Sequence, residues 1–130
     1  MAGIFSRIVS GEIPAFKILE DKDYLAFLDV SPLTEGHTLV IPKVETDYIF
    51  DLDDHFLRGI LPFSKKVAAA IKEAIPCIKV GISVIGLEVP HAHIHLIPIN
   101  HISDMNFGKD KPVFTMEELK NTAELIISKL

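Results

Sequence analysis

The chain has 130 residues, 48% of them hydrophobic, which suits one domain with a real core and argues against disorder. A formal net charge of −5 argues against a general nucleic-acid binder, which needs a basic face, yet leaves room for a small anionic ligand held by a few local donors. Cys77 is the only cysteine, so intramolecular disulfides are excluded and a reducing compartment fits.

The N-terminal stretch MAGIFSRIVSGEIP lacks the apolar core and cleavage site of a secretory signal. No apolar run approaches the ~20 residues that cross a bilayer, so a cytoplasmic protein without membrane contact is expected. Residues 4–9 predict a short helix ended by Gly11 and Pro14. AFKILED and YLAFLDV read as two strands joined at Asp21-Lys22-Asp23. SPLTEG is a loop, and HTLVIPK a third strand stopped by Pro42.

A long helix is expected from about Asp53 to Ile75. Phe56, Ile60, Phe63, Val67, Ile71 and Ala74 recur at three- and four-residue spacing. Asp51 or Asp53 is positioned to cap it, Pro76 ends it, and Pro62 should kink it or open a second helix. IKVGISVI, residues 78–85, alternates as a strand. A turn at Gly86 leads into a strand EVPHAHIHLIPI, and NHISDMNFGKDKP reads as an exposed loop. The last helix starts at Thr115 with a capping box to Glu118, and Leu119, Ala123, Ile126 and Leu130 form its apolar stripe. No repeat or linker interrupts residues 1–130, so one domain is expected. Short connections favour antiparallel pairing: an α+β domain with helices on one side of the sheet.

PHAHIHLIP places His91, His93 and His95 at every second position. On a strand they would share one face, ~7 Å apart at the backbone from two residues at ~3.4 Å rise. Ala92, Ile94 and Leu96 would take the other face. Three explanations stand. One is a metal site, since His-x-His supplies two ligands; it lacks a nearby third ligand, because Glu88 falls on the opposite face. The second is phosphoryl chemistry, with an imidazole attacker and flanking donors. The third is an exposed polar strand face. A second constellation favours a nucleotide: Leu25, Phe27 and Asp29 share one face, an apolar floor for a base ending in a carboxylate for ribose hydroxyls. Asp29 before Ser31-Pro32 equally suits a turn. His37 opens the next strand on the face of Leu39 and Ile41.

The segments IFSRIVSGEIPAFKILEDKDYLAFLDVSPLTEGHTLVIPK and VPHAHIHLIP, with the helix between them, make residues 4–100 resemble the histidine triad (HIT) family, in particular its Hint-branch nucleotide-binding hydrolases. The resemblance implies a five-stranded antiparallel sheet with one long central helix and a C-terminal helix, and a homodimer that joins two sheets. It implies purine nucleoside monophosphates such as AMP or GMP as ligands. It also implies hydrolysis of phosphoramidate or other nucleotidyl bonds through a nucleotidylated histidine, with no cofactor. Carried over by position, His93 is the nucleophile, His91 and His95 flank it, and His37 buttresses the row. Asp29 holds the ribose; Ile4, Phe5, Ile8, Phe27, Val30 and Leu39 enclose the purine; Glu88 and Val89 join the nucleotide-binding set.

Two features depart from the family pattern. The glycine-rich polar loop before the triad is shortened to VIGLEVPH, with Leu87 and Glu88 where polar phosphate contacts are usual and Ile85 near an expected Asn. A carboxylate there repels phosphate, which keeps a weakly catalytic nucleotide-binding module open as an alternative, with a His-ligated metal enzyme behind it. Where some relatives bind structural zinc, this chain carries Gly3, Ser6 and Glu45, so no zinc is expected there.

Overall fold

The computed structural model describes residues 2–130. Its elements are helix α1 (Ile4–Val9), strands β1 (Lys17–Glu20), β2 (Tyr24–Leu28) and β3 (Thr38–Pro42), helix α2 (Asp54–Ala74), strands β4 (Lys79–Ser83) and β5 (Ile94–Ile99), and helix α3 (Met116–Ile127). Short 3-10 turns span Ile49–Asp51 and Ile102–Met105. The strands form one antiparallel sheet in the order β1-β2-β3-β5-β4. The first three follow one another as a meander, as short connections require. β5 then inserts between β3 and β4, which leaves β4 at an edge.

Both faces of β2 and β3 are buried, so these strands read as continuous apolar runs. Tyr24, Ala26, Leu28 and Val40 pack under α2 and α3. Leu25, Phe27, Leu39 and Ile41 face the other way, onto Phe5 and Ile8 of α1. One strand period thus feeds two cores, and the second core is the one beside the histidines.

Helix α2 runs through Pro62 without a break. Proline withdraws the N–H that would pair with the Arg58 carbonyl, but both residues are exposed and water can take that bond. Asp53 occupies the N-cap without a side-chain capping bond; its carbonyl accepts the N–H groups of Phe56 and Leu57. The capping box of α3 forms as expected: Thr115 Oγ1 accepts from Glu118 N at 3.1 Å and Glu118 Oε1 from Thr115 N at 3.0 Å. Leu119, Ala123 and Ile126 are buried, but Leu130 lies past the helix end and is half exposed, so it does not belong to the stripe.

The strand expected from Glu88 begins instead at Ile94. Pro90 has no N–H to give a ladder, the His91 N–H turns back to Val89 O at 2.8 Å, and the Ala92 N–H donates to Thr46 O at 2.7 Å. Residues 84–93 are therefore a loop laid against the chain that leaves β3. His91 and His93 belong to that loop, and only His95 sits in the sheet. The expected row of three imidazoles on one strand face is not the geometry of the molecule.

Candidate active site

Strand pairing assembles the floor of the site. Phe27 on β2 lies opposite Leu39 on β3, and Leu39 lies opposite His95 on β5. Cross-strand neighbours of one face are in contact, so an apolar floor runs directly into an imidazole. One step along, the Asp29 N–H donates to His37 O at 3.0 Å, which sets those two side chains beside each other at the end of the same face. Gly36, at φ +92, makes the turn that delivers His37, and a Cβ there would meet Ile75 Cγ1 at 3.0 Å.

These residues open on a cavity of about 480 Å³, within the range of small-molecule sites. Ile4, Phe5 and Ile8 enter from α1; Phe27, Leu39 and Val30 complete the apolar wall. Asp29, Glu88, Val89, His93 and His95 also line it. His37 and His91 do not. Both are buried behind the wall, 1% and 2% exposed.

Fixed backbone partners decide the imidazole tautomers. His37 Nδ1 accepts the Leu33 N–H at 3.0 Å, so its proton is on Nε2. That nitrogen donates to His95 Nδ1 at 2.9 Å, so the His95 proton is on Nε2. His93 Nδ1 donates to the His91 carbonyl at 2.7 Å, which leaves the lone pair of His93 on Nε2. His91 Nε2 donates to Pro42 O at 2.8 Å, and its Nδ1 is buried without a partner among the described residues. Phe5 locks the set in place: its ring meets Phe27 at 5.5 Å, His91 at 5.7 Å and His93 at 5.2 Å between centroids. His93 and His95 stand 4.8 Å apart.

Burial keeps the supporting imidazoles neutral. It pushes His37 down to about 4, with the Asp29 carboxylate opposing, and His95 down to about 3, with His93, His37 and the Lys111 charge acting in the same direction. Burial also lowers His91, against the pull of the Pro42 carbonyl and Glu45. Asp29 divides its two oxygens. Oδ1 accepts the Ser31 N–H at 2.8 Å, which is the turn role, while Oδ2 lies 3.7 Å from His37 Nε2, too far for a hydrogen bond. Oδ2 therefore keeps its acceptor capacity toward the cavity.

Asp29, His37 and His95 each bring one donor atom to within 4.8 Å of the others, the spacing of a metal site. The proton that His37 donates to His95 lies between two of these three atoms, so a metal bound by all three must displace it. Between α1 and the segment after β3, Glu45 Oε1 accepts the Gly3 N–H and the Ser6 hydroxyl, the latter at 2.8 Å. Those two donors hold the Glu45 carboxyl below its usual range, and the cluster ties α1 to the segment after β3.

Two lining residues carry no signal in the sequence. Phe107 packs its ring on His95 at 4.9 Å and on His37 at 6.3 Å, and Lys111 also lines the cavity. Both lie in the stretch expected to be an exposed loop. A single aromatic and a single lysine have no period to betray them.

Fold and site together define an α+β protein with a ligand cavity whose polar end is built from histidines. Comparison with known proteins narrows this class. The HIT domain matches residues 10–102, and the chain belongs to that family. It is 37% identical over 132 residues to an adenosine 5'-monophosphoramidase of Schizosaccharomyces pombe, covering 100% of this chain and 99% of that one. It is 41% identical over 98 residues to an adenosine 5'-monophosphoramidase of Saccharomyces cerevisiae, covering 75% of this chain and 62% of that one. The crystal structure of a HIT-like protein from Bartonella henselae superimposes with a TM-score of 0.85 at 30% identity, over 98% of this chain and 96% of that one.

Proposed function

We propose that the protein is a purine nucleoside phosphoramidase acting through a nucleotidyl-histidine on His93. One observation carries this reading: the His93 Nδ1–H is tied to the His91 carbonyl at 2.7 Å, which aims the Nε2 lone pair at a cavity that has an apolar wall and the Asp29 carboxylate. The purine fits between Phe27, Leu39 and the α1 side chains, and the ribose hydroxyls fit Asp29 Oδ2. The α-phosphorus then rests against His93.

In the first step a bond forms between His93 Nε2 and phosphorus, and the bond from phosphorus to the amine breaks as the amine gains a proton from solvent water. The ring of His93 becomes cationic, and its Nδ1–H bond to the His91 carbonyl strengthens accordingly. His95 contributes its Nε2–H to a phosphoryl oxygen, in the orientation that His37 imposes. Water then attacks the phosphorus as the bond from phosphorus to His93 Nε2 breaks, which returns a neutral His93, passes the water's proton to solvent and releases the nucleoside monophosphate. The covalent route divides one hard displacement into two easier ones. His91 acts as a positioning residue, and His37 fixes a tautomer. The related phosphoramidases support the reaction class.

Two chains join along β4 in this reading. β4 has a free edge, with Ile82 exposed on the strand, Val84 exposed just past its end and Leu61 on the adjoining face of α2. An open cavity of about 500 Å³ separates α2 from β4, and an apolar edge of this kind is normally covered. No described helix is long and apolar enough to cross a membrane. With the lone Cys77, a cytoplasmic location is part of the same reading.

Hydrolysis of adenosine 5'-phosphoramidate, with and without a chelator, tests the reaction. The wild type should release AMP at the same rate in both conditions, and His93→Ala should still bind AMP but not turn over. Turnover that disappears with the chelator would transfer the role to a metal at Asp29, His37 and His95.

A further inference from the structure

The cavity has a charge problem for an anionic ligand. Asp29 and Glu88 both line it, and the supporting imidazoles His37 and His95 are held neutral by burial. An anionic phosphate would enter a site lined by two carboxylates. The loop before the triad adds little, since it offers Ile85, Leu87 and Glu88.

The segment after β5 supplies the missing charge. Among the described residues lining the cavity, Lys111 is the one that carries an ammonium or guanidinium group. It shares the cavity lining with His93, His95 and Phe107, and its charge acts on both His37 and His95. The neighbouring Lys109 is already taken by Asp104, at 3.7 Å. Lys111, in contrast, takes part in none of the ion pairs among the described residues. The loop that carries Lys111 is built. Asp104 Oδ2 accepts the N–H groups of Asn100 at 2.8 Å and His101 at 2.9 Å, and Asn106 Oδ1 accepts that of Gly108 at 2.9 Å. Within the second of those turns Phe107 is pressed against His95.

We propose that Lys111 is a phosphate-binding residue of this site, carried over the histidine end by the 100–111 loop and anchored there by Phe107, and that it lets the pocket accept an anionic nucleotide in spite of Glu88. The inference rests on the nucleotide reading of the cavity. A lysine is suited to the task as a mobile point charge with three donors. It adds attraction for the phosphate and none for the base or sugar, so it separates nucleotides from nucleosides.

The test is calorimetric titration of wild type, Lys111→Met and Lys111→Arg with AMP and with adenosine. Methionine keeps most of the stem and removes the charge. Lys111→Met should weaken AMP binding by about tenfold, as expected for one partly solvated charge on a phosphate. Adenosine binding should stay within about twofold of wild type, and Lys111→Arg should bind AMP nearly as wild type does. AMP binding unchanged in Lys111→Met, or AMP and adenosine weakened alike, would overturn the proposal. A wild type that binds neither compound would overturn the nucleotide reading as well, which distinguishes the two failures.

Discussion

Replacing His37 by leucine separates the tautomer account from simple packing. Leucine keeps an apolar side chain in a site that is 1% exposed, but it removes the acceptor of the Leu33 N–H and the donor to His95. An orphaned buried amide costs about 1–3 kcal/mol, and the lost imidazole–imidazole bond about 1 kcal/mol. The variant should therefore be about 2–4 kcal/mol less stable at pH 7.5 by urea denaturation. The pH dependence adds a second signature. With its folded value lowered from 6.5 to about 4, His37 binds more protons unfolded than folded between those values. Its contribution is intact above pH 6.5 and is lost as the pH falls toward 4. At about pH 5 the wild type has lost about 2 kcal/mol of it, a loss the leucine variant does not suffer, so the gap between the two proteins should narrow by that amount. Without His37 to hold its Nδ1 as an acceptor, His95 can place its proton away from the phosphate, and kcat/KM for adenosine 5'-phosphoramidate should fall roughly 100-fold. A variant with kcat/KM within about threefold of wild type, or a stability gap that does not change with pH, would refute the reasoning.

Two further outcomes follow from contacts outside the histidines. Glu45→Ala removes the acceptor shared by Gly3 and Ser6, so amide exchange at the start of α1 should accelerate, while Glu45→Gln, which still offers a carbonyl oxygen, should not; equal exchange in both variants would show that the cluster does not hold the helix. Ile82→Glu places a charge on the free apolar edge of β4, and light scattering should report pairs for the wild type and single chains for the variant; a paired variant would place the interface elsewhere, and a wild type of single chains would refute it.

The sheet is legible in the sequence because its strands obey simple periods. β2 and β3 are continuous apolar runs whose successive side chains take opposite faces, so Asp29 falls on the face of Phe27, and His37 on that of Leu39, from spacing alone. The long helix is legible through Phe56, Ile60, Phe63, Val67 and Ile71, even with Pro62 inside it. The histidine segment misleads for a local reason. Its alternation is that of a strand, but Pro90 cannot enter the ladder, and the chain turns back at Val89 and bonds to Thr46 before pairing starts at Ile94. This is why His91 is turned to Pro42 O and does not line the cavity. The roles of the ring nitrogens are invisible in the sequence, since they depend on Leu33, Pro42 and His91 backbone groups. Phe107 and Lys111 are invisible too, because an irregular loop encodes its path in particular side chains such as Asp104 and Asn106 rather than in a period.

The reaction turns on whether the lone pair of His93 Nε2 attacks phosphorus. Rapid acid-free quenching of wild type with adenosine 5'-phosphoramidate, followed by peptide mapping, tests this directly. An adenylyl group should be found on His93, bonded through Nε2 and absent from His93→Ala. Steady turnover with no adduct, or an adduct on His91, His95 or any other side chain, would contradict it.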